Sequence, residues 1–351
     1  MLIFFFYFLK FFLIKKTYSY CKEYFFFEII KYIKIHNFEI IKNRNVINLI
    51  LFNKNNNNIF ISHLDIVNEG YIKWIKPIFT CICYKKKIFC RGVIDMKGGY
   101  CSFFYLSKKN NFILTNDEEN LSIYGVQYVI NIFQKRKIKI NLFYSGEPTS
   151  KKIIGDNIKI SRRGSYNFLL IFIGKQKHCA YIGKNIIKYS IKKILKLLKN
   201  KIDKKEIFSI NNNFSVSSLD NLTPNNYFIK INYRFLEYKN ILNFKKKIFL
   251  ILIKKKNYFK WIFSGVPFFC YKNHYLTFLF DTIFYIQKIY SKINFFGGTS
   301  DLRYCYYFYK KSNFFELGLI NKTIHKINEF SNIDNIYILY LIYKFFNNGI
   351  K

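Results

Sequence analysis

From residue 45 to about residue 150, short apolar runs alternate with polar loops and helix-like stretches. The runs predict strands over Val46 to Phe52, Ile59 to Ser62, Phe112 to Thr115 and Ile138 to Tyr144. Between the last two, Ile123, Val126, Val129, Ile130 and Phe133 recur at the spacing of one helical face. Alternation of this kind predicts an α/β sheet. Ahead of it, Leu2 to Ile14 is apolar but broken by Lys10, and it is shorter than the roughly 20 residues needed to cross a bilayer. The bulky, basic Lys15-Lys16-Thr17-Tyr18 that follows lacks the small residues of a signal-peptide cleavage site, so the segment reads as a buried first helix.

After Gly164 the rhythm changes. Tyr166 to Gly174 predicts a strand, Lys184 to Lys199 an amphipathic basic helix, Tyr227 to Phe235 a strand and Ile241 to Lys256 a helix. This block reads as a separate α+β insert, with the chain returning to the first domain near Tyr275. There is no internal repeat, and the asparagine run Asn55 to Asn58 reads as a turn.

Chemistry-bearing side chains fall where the first set of strands ends. His63 and Asp65 follow Ile59 to Ser62, Glu118 and Glu119 follow Phe112 to Thr115, and Glu147 follows Ile138 to Tyr144. Ligands of open α/β sheets gather at the carboxyl ends of strands, so sequence order alone sets these groups along one edge. Composition sharpens the point. The chain is skewed towards Phe, Ile, Lys, Asn and Tyr, with 58 Lys and Arg against 20 Asp and Glu and a net charge of +38, so acids recurring at strand ends run against its drift. The lysines are scattered rather than gathered in one arm, which argues for a solvated basic surface and against a nucleic-acid footprint, while still drawing in a polyanionic small substrate. The eight cysteines show no C-x-x-C pair and read as small buried hydrophobes of a reducing compartment.

Four motifs hold the candidates: Ser62-His63-Leu64-Asp65, then Arg91-Gly92-Val93-Ile94-Asp95-Met96-Lys97-Gly98-Gly99, then Thr115-Asn116-Asp117-Glu118-Glu119, then Gly146-Glu147-Pro148-Thr149-Ser150, with a late His325. Neutral imidazole and carboxylate are ligands that zinc accepts, and a nearby carboxylate commonly fixes a ligating imidazole in one tautomer. Alone, His63 reads rather as a satisfied core or surface histidine and each glutamate pair as a solvated turn. Solvation does not explain all of them at successive strand ends.

With Trp74-Ile75-Lys76-Pro77-Ile78-Phe79, these motifs resemble the co-catalytic zinc exopeptidase and deacylase clan, and in closer detail its succinyl-diaminopimelate desuccinylases. Arg162-Arg163-Gly164-Ser165, Ser264-Gly265-Val266-Pro267-Phe268, Gly297-Gly298-Thr299-Ser300-Asp301 and Asn321 through Glu329 carry the finer likeness, which runs from about residue 20 to the end. The resemblance implies a zinc-exopeptidase-like α/β catalytic domain over residues 1–163 and 275–351, interrupted by an α+β dimerisation insert over 164–274. It implies a cytoplasmic homodimer that hydrolyses N-succinyl-LL-2,6-diaminopimelate, a small molecule, to succinate and LL-2,6-diaminopimelate in lysine and peptidoglycan precursor synthesis. No nucleic acid or membrane partner is expected.

The family's roles carry over by position. His63, Asp95 and Glu147 would hold one divalent ion and Glu119 and His325 would complete a second site that Asp95 bridges; zinc is expected, with cobalt acceptable at one site. Glu118 would be the general base and Asp65 would orient His63. His178 would reach the partner subunit's site to stabilise the oxyanion, with Asn221 in the same role. Arg163, Arg234 and Arg303, with Tyr181, Ser264 and Thr299, stand at positions that resemble the contacts to succinate and diaminopimelate, where a guanidinium fork suits a carboxylate. The chain departs from the family at Leu64 (usually Thr), Cys90 and Lys177 (both usually Gly) and Asp220. Lys177 bears on the oxyanion role, because glycine tolerates backbone angles that lysine adopts only at a cost. His36 and His274 match no motif and read as ordinary surface or packing residues. A sister deacylase such as one acting on acetylornithine, a catalytically inactive relic of the fold and a basic nucleic-acid binder are the rival readings.

Overall fold

The computed structural model describes all residues except 1, 35–36, 54–55, 106–109, 121, 182–184, 200–206, 216–220, 253–256, 295–296 and 351. His36 and Asp220 therefore lie outside the described residues, as does the side chain of Ser264. The chain divides into two compact units: residues 1–161, 269–296 and 300–351, and residues 162–268 with 297–299.

The first unit is built on one eight-stranded mixed sheet. Its strands lie in the order Glu39–Asn43, Val46–Leu51, Asn111–Thr115, Asn58–His63, Leu142–Ser145, Asn313–Glu316, Asn157–Lys159 and Lys292–Asn294. Asn58–His63 runs parallel to both Asn111–Thr115 and Leu142–Ser145, and Asn313–Glu316 runs parallel to Leu142–Ser145. The first three of these are buried at every position, as expected of strands covered on both faces. Helices Leu2–Leu13, Gly98–Phe104 and Ile333–Gly349 pack on one another, and Phe103 stacks on Phe60 of a central strand with ring centroids 4.1 Å apart. Leu2–Leu13 buries Phe5, Leu9, Phe12 and Leu13 while leaving Phe4 and Tyr7 exposed, so its apolar stripe is a packing face.

The helix after Asn111–Thr115 spans Val126–Lys135, later than its apolar spacing suggests, and Ile123 is exposed ahead of it. Lys137, at φ 55°, takes the chain out of this helix, and Ile138 N–H closes back on Phe133 O at 3.0 Å. The strand expected from Ile138 therefore begins only at Leu142.

The second unit is a four-stranded antiparallel sheet in the order Ile207–Ser215, Asn226–Phe235, Gly164–Ile173, Tyr258–Gly265. Helices Ile186–Lys199 and Tyr238–Leu252 close one face over Phe168, Leu170, Phe172, Ile229, Ile231 and Tyr233. The two outer strands escape the sequence reading because edge strands need less apolar content. Asn211-Asn212-Asn213 interrupts the first and Lys260 the second.

Candidate metal centre

Parallel pairing brings the carboxyl ends of Asn58–His63, Asn111–Thr115 and Leu142–Ser145 to one edge of the sheet. His63 ends the first strand, Glu118 and Glu119 follow the second, and Glu147 follows the third. Asp95 comes from the turn Val93–Lys97, entered through Gly92 at φ +79°, a backbone angle that glycine takes without strain. His325 comes from a loop before Phe330–Asn332 and holds φ 56° itself, an uncommon conformation for a residue with a side chain. Around Glu147 the main chain is packed so closely that a Cβ at Gly318 would lie 2.2 Å from Glu147 O.

These side chains converge. His63 Nε2 lies 3.2 Å from Asp95 Oδ1 and 3.9 Å from Glu147 Oε1. His325 Nε2 lies 3.0 Å from Asp95 Oδ2 and 3.0 Å from Glu119 Oε1. Two triads result, His63–Asp95–Glu147 and Asp95–Glu119–His325, each with its donor atoms within 4.8 Å of one another. Asp95 belongs to both, one oxygen turned to each imidazole. His63, Glu118 and Glu119 form a further group at the same spacing.

The donor chemistry fits divalent ions. His63 Nδ1 sits 2.8 Å from the Asp65 carbonyl, which only accepts, so Nδ1 carries a proton and Nε2 is the nitrogen that faces carboxylate oxygens, donating a second proton to them or, without it, offering its lone pair to a cation. Lone pairs turned on one another need a cation or a proton between them. Electrostatics shows the same want of positive charge. Burial and the neighbouring Glu147 and Glu119 carboxylates push Glu118 well above the ordinary carboxylate range, against the pull of His63. Burial, with Asp95 nearby, also raises Glu119 despite its bond to His325. Asp95, which burial alone would raise, is instead held low by hydrogen bonds from His325 and His63. Hydrogen bonds to Asp95 and Glu119 push His325 up to about 10.

The structure gives Asp65 a more specific task than sequence suggests. Its carboxylate is 3.6 Å from His63 Nδ1, farther than its own carbonyl. The carboxylate instead accepts Glu118 N–H at 3.2 Å, Glu119 N–H at 2.9 Å and Ser19 Oγ–H at 2.8 Å. One residue thus sets the imidazole through its main chain and the two-glutamate turn through its side chain. Ser19 belongs to no motif, and nothing in the sequence singles it out.

Arg303 is buried in the first unit, stacked 4.5 Å over the Tyr304 ring, with Nη2 donating to Tyr304 Oη at 3.1 Å and Nη1 to Ser300 O at 3.2 Å. Asp301 beside it is pushed up to about 7 by burial, which Arg303 partly offsets. The other expected contacts belong to the second unit. His178 and Tyr181 are exposed, their rings 5.7 Å apart, and Cys179 N–H donates to Asn221 O at 2.8 Å, so His178, Tyr181 and Asn221 cluster. Lys177–His178 pairs antiparallel with Leu222–Thr223. Arg234 Nε donates to Asn232 Oδ1 at 2.8 Å, and Arg234 pairs across the sheet with Ser165. Arg163 is buried, Thr299 half-buried, and Ser264 lies on Tyr258–Gly265. His274 begins the helix His274–Gln287 in the first unit.

Residues 59–346 match the model of peptidase family M20/M25/M40. The chain is 36% identical over 310 residues to the succinyl-diaminopimelate desuccinylase of Wigglesworthia glossinidia brevipalpis, covering 82% of each chain. It is 32% identical to the enzyme of the same name from Orientia tsutsugamushi strain Ikeda, covering 81% of this chain and 78% of the relative. Among solved structures, an M20 family metallo-carboxypeptidase from Sulfolobus solfataricus superposes with a TM-score of 0.79 at 15% identity, over 97% of both chains. A dinuclear metal-binding M20 peptidase from Bacillus subtilis gives a TM-score of 0.67 at 9% identity, over 98% of this chain and 97% of that one.

Proposed function

The chain belongs to peptidase family M20/M25/M40, and from that premise we propose that it is a metal-dependent amidohydrolase that cleaves N-succinyl-LL-2,6-diaminopimelate to succinate and LL-2,6-diaminopimelate. The observation that carries this reading is the pair of triads sharing Asp95, in a chain 36% identical to a named desuccinylase along 82% of its length. The reaction supplies LL-diaminopimelate for lysine and peptidoglycan precursors. The identity to desuccinylases favours this activity over a sister deacylase, and the intact donor set argues against a metal-free relic.

His63, Asp95 and Glu147 would hold one divalent ion, and Asp95, Glu119 and His325 a second, zinc by the preference of imidazole and carboxylate donors, with cobalt acceptable at one site. Bound there, such ions polarise an amide carbonyl and make water a nucleophile near neutral pH. Glu118 stands within the His63–Glu119 group as the unassigned carboxylate, and it serves as general base. It takes one proton from the attacking water and returns it to the leaving amine as the C–N bond breaks. Asp65 holds Glu118 in place through the main-chain N–H it accepts. Arg303, already oriented by Tyr304, pairs with a substrate carboxylate. Arg163, Arg234, Tyr181, Ser264 and Thr299 are assigned further substrate contacts.

The second unit is assigned to dimerisation. His178 lies exposed on it and clusters with Asn221, as suits an oxyanion donor offered to a partner subunit. Eight free cysteines and a biosynthetic reaction fit a cytoplasmic enzyme. No helix among the described residues is long and apolar enough to cross a membrane.

The test is a substrate comparison. Zinc-loaded protein is assayed for succinate release from N-succinyl-LL-diaminopimelate beside acetate release from N-acetylornithine. Faster succinate release is expected; preference for acetylornithine would transfer the chain to the sister activity.

A further inference from the structure

We propose that Arg91 and Glu329, neither of which contacts the ligand cluster, are positioning residues that set the spacing between its two metal sites. This rests on the two-ion reading of the centre.

Three stretches of main chain must hold their places for His63, Asp95 and His325 to converge, and all three end on this one ion pair. Glu329 is fully buried, and its two oxygens are spent on the segment leading into Asp95. Oε2 accepts Gly92 N–H at 3.1 Å and Oε1 accepts Ile94 N–H at 2.9 Å. The same Oε2 receives Arg91 Nη1–H at 2.9 Å. Arg91 then reaches the other two stretches. Nη1 also donates to Lys326 O at 3.1 Å, the carbonyl next to His325, and Nη2 donates to Asn68 O at 3.2 Å, on the loop that leaves His63 and Asp65. The guanidinium is fixed in plane by Trp74, 4.8 Å from its ring centre. Cys90 N–H adds a main-chain bond to Glu329 O at 3.2 Å.

A buried ion pair seldom stabilises a fold more than apolar side chains of the same shape would. What this pair provides is directional: a carboxylate accepts from two main-chain groups on the Asp95 turn, and a planar fork binds carbonyls on the flanking loops. Its loss therefore spreads the donor atoms that now lie within 4.8 Å of one another. Outer partners that orient metal ligands commonly contribute 10–100-fold in metal affinity.

The experiment measures zinc affinity by competition with a chromophoric chelator for the full-length parent, Glu329→Gln, Arg91→Lys and Leu279→Ala. Leu279 is fully buried on His274–Gln287, a helix that carries no ligand, so Leu279→Ala lowers stability without touching the clamp. A loss of roughly 10–100-fold is expected in Glu329→Gln and Arg91→Lys, with Leu279→Ala binding as the parent does. Cobalt substituted for zinc should show a shifted visible absorption spectrum in the two clamp variants alone. Parent-like affinity in Glu329→Gln, or an equal loss in Leu279→Ala, would overturn the proposal, as would a parent that takes up no zinc. A parent that binds two zinc equivalents yet leaves the succinyl amide intact sinks the substrate assignment and leaves the clamp standing.

Discussion

Asp95 turns one carboxylate oxygen to each of two imidazoles and belongs to both triads. Asp95→Ala is expected to remove both metal equivalents, whereas Glu147→Ala should spare the Asp95–Glu119–His325 site; metal content after dialysis checks both. Arg303→Lys keeps the charge but loses the fork, and a raised KM of roughly tenfold with little change in kcat is expected, since hydrogen bonds to charged groups contribute about 1.5–3 kcal/mol. A fall in kcat alone would remove Arg303 from substrate binding. Among the candidate ligands, His63, Glu119 and Glu147 were legible because each follows an apolar run in an acid-poor chain, whereas Asp95 and His325, on a turn and a loop, were legible only through their motifs. Ser19 was not, because its bond to Asp65 spans 46 residues and leaves no local pattern. The role of Asp65 divided between main chain and side chain was equally invisible, since a carbonyl carries no sequence signature.

Elements position these residues by close approach as much as by sheet pairing. Gly318 lets the loop after Asn313–Glu316 lie against Glu147 O. Gly318→Ala puts a methyl 2.2 Å from that oxygen, and a loss of stability of about 1–3 kcal/mol is expected from forced backbone shifts, read by urea unfolding. The edge strand Glu39–Asn43 is tied to the end of Val126–Lys135 by a bidentate Arg136–Glu39 pair, both bonds 2.7 Å. Arg136 holds the Glu39 carboxyl below its ordinary value, so the folded chain binds that proton less tightly than the unfolded chain. The stabilisation is present above the unfolded carboxylate pKa and lost as pH falls through the lower folded value. Because both side chains are about half exposed, Glu39→Gln is expected to cost less than about 1 kcal/mol at neutral pH, and nothing once the carboxyl is protonated. Urea midpoints at neutral and acid pH test that sign. Apolar runs revealed the central strands, but they could not reveal where Lys137 turns the chain out of its helix, nor the polar edge strands of the second unit. Those depend on backbone conformation and on which side of a strand meets solvent.

At the scale of the whole molecule, a net charge of +38 surrounds a centre built from scarce acids. A substrate bearing several carboxylates is drawn in by that field, which salt screens from a Debye length of about 10 Å at 0.1 M to about 3 Å at 1 M. The kcat/KM for N-succinyl-LL-diaminopimelate should therefore fall as potassium chloride is added, while kcat holds; an unchanged ratio would mean that the lysine surface has no part in capture. The proposed reaction turns on one carboxylate, Glu118, transferring the proton beside the two candidate metal sites. The most direct test is succinate release by zinc-loaded Glu118→Gln protein set against the parent at equal metal content. Turnover in the parent, reduced by a factor on the order of 100 or more in the variant with two zinc equivalents retained, is the predicted result. Parent-like turnover in Glu118→Gln, or a fully metallated parent that leaves the amide uncut, would contradict it.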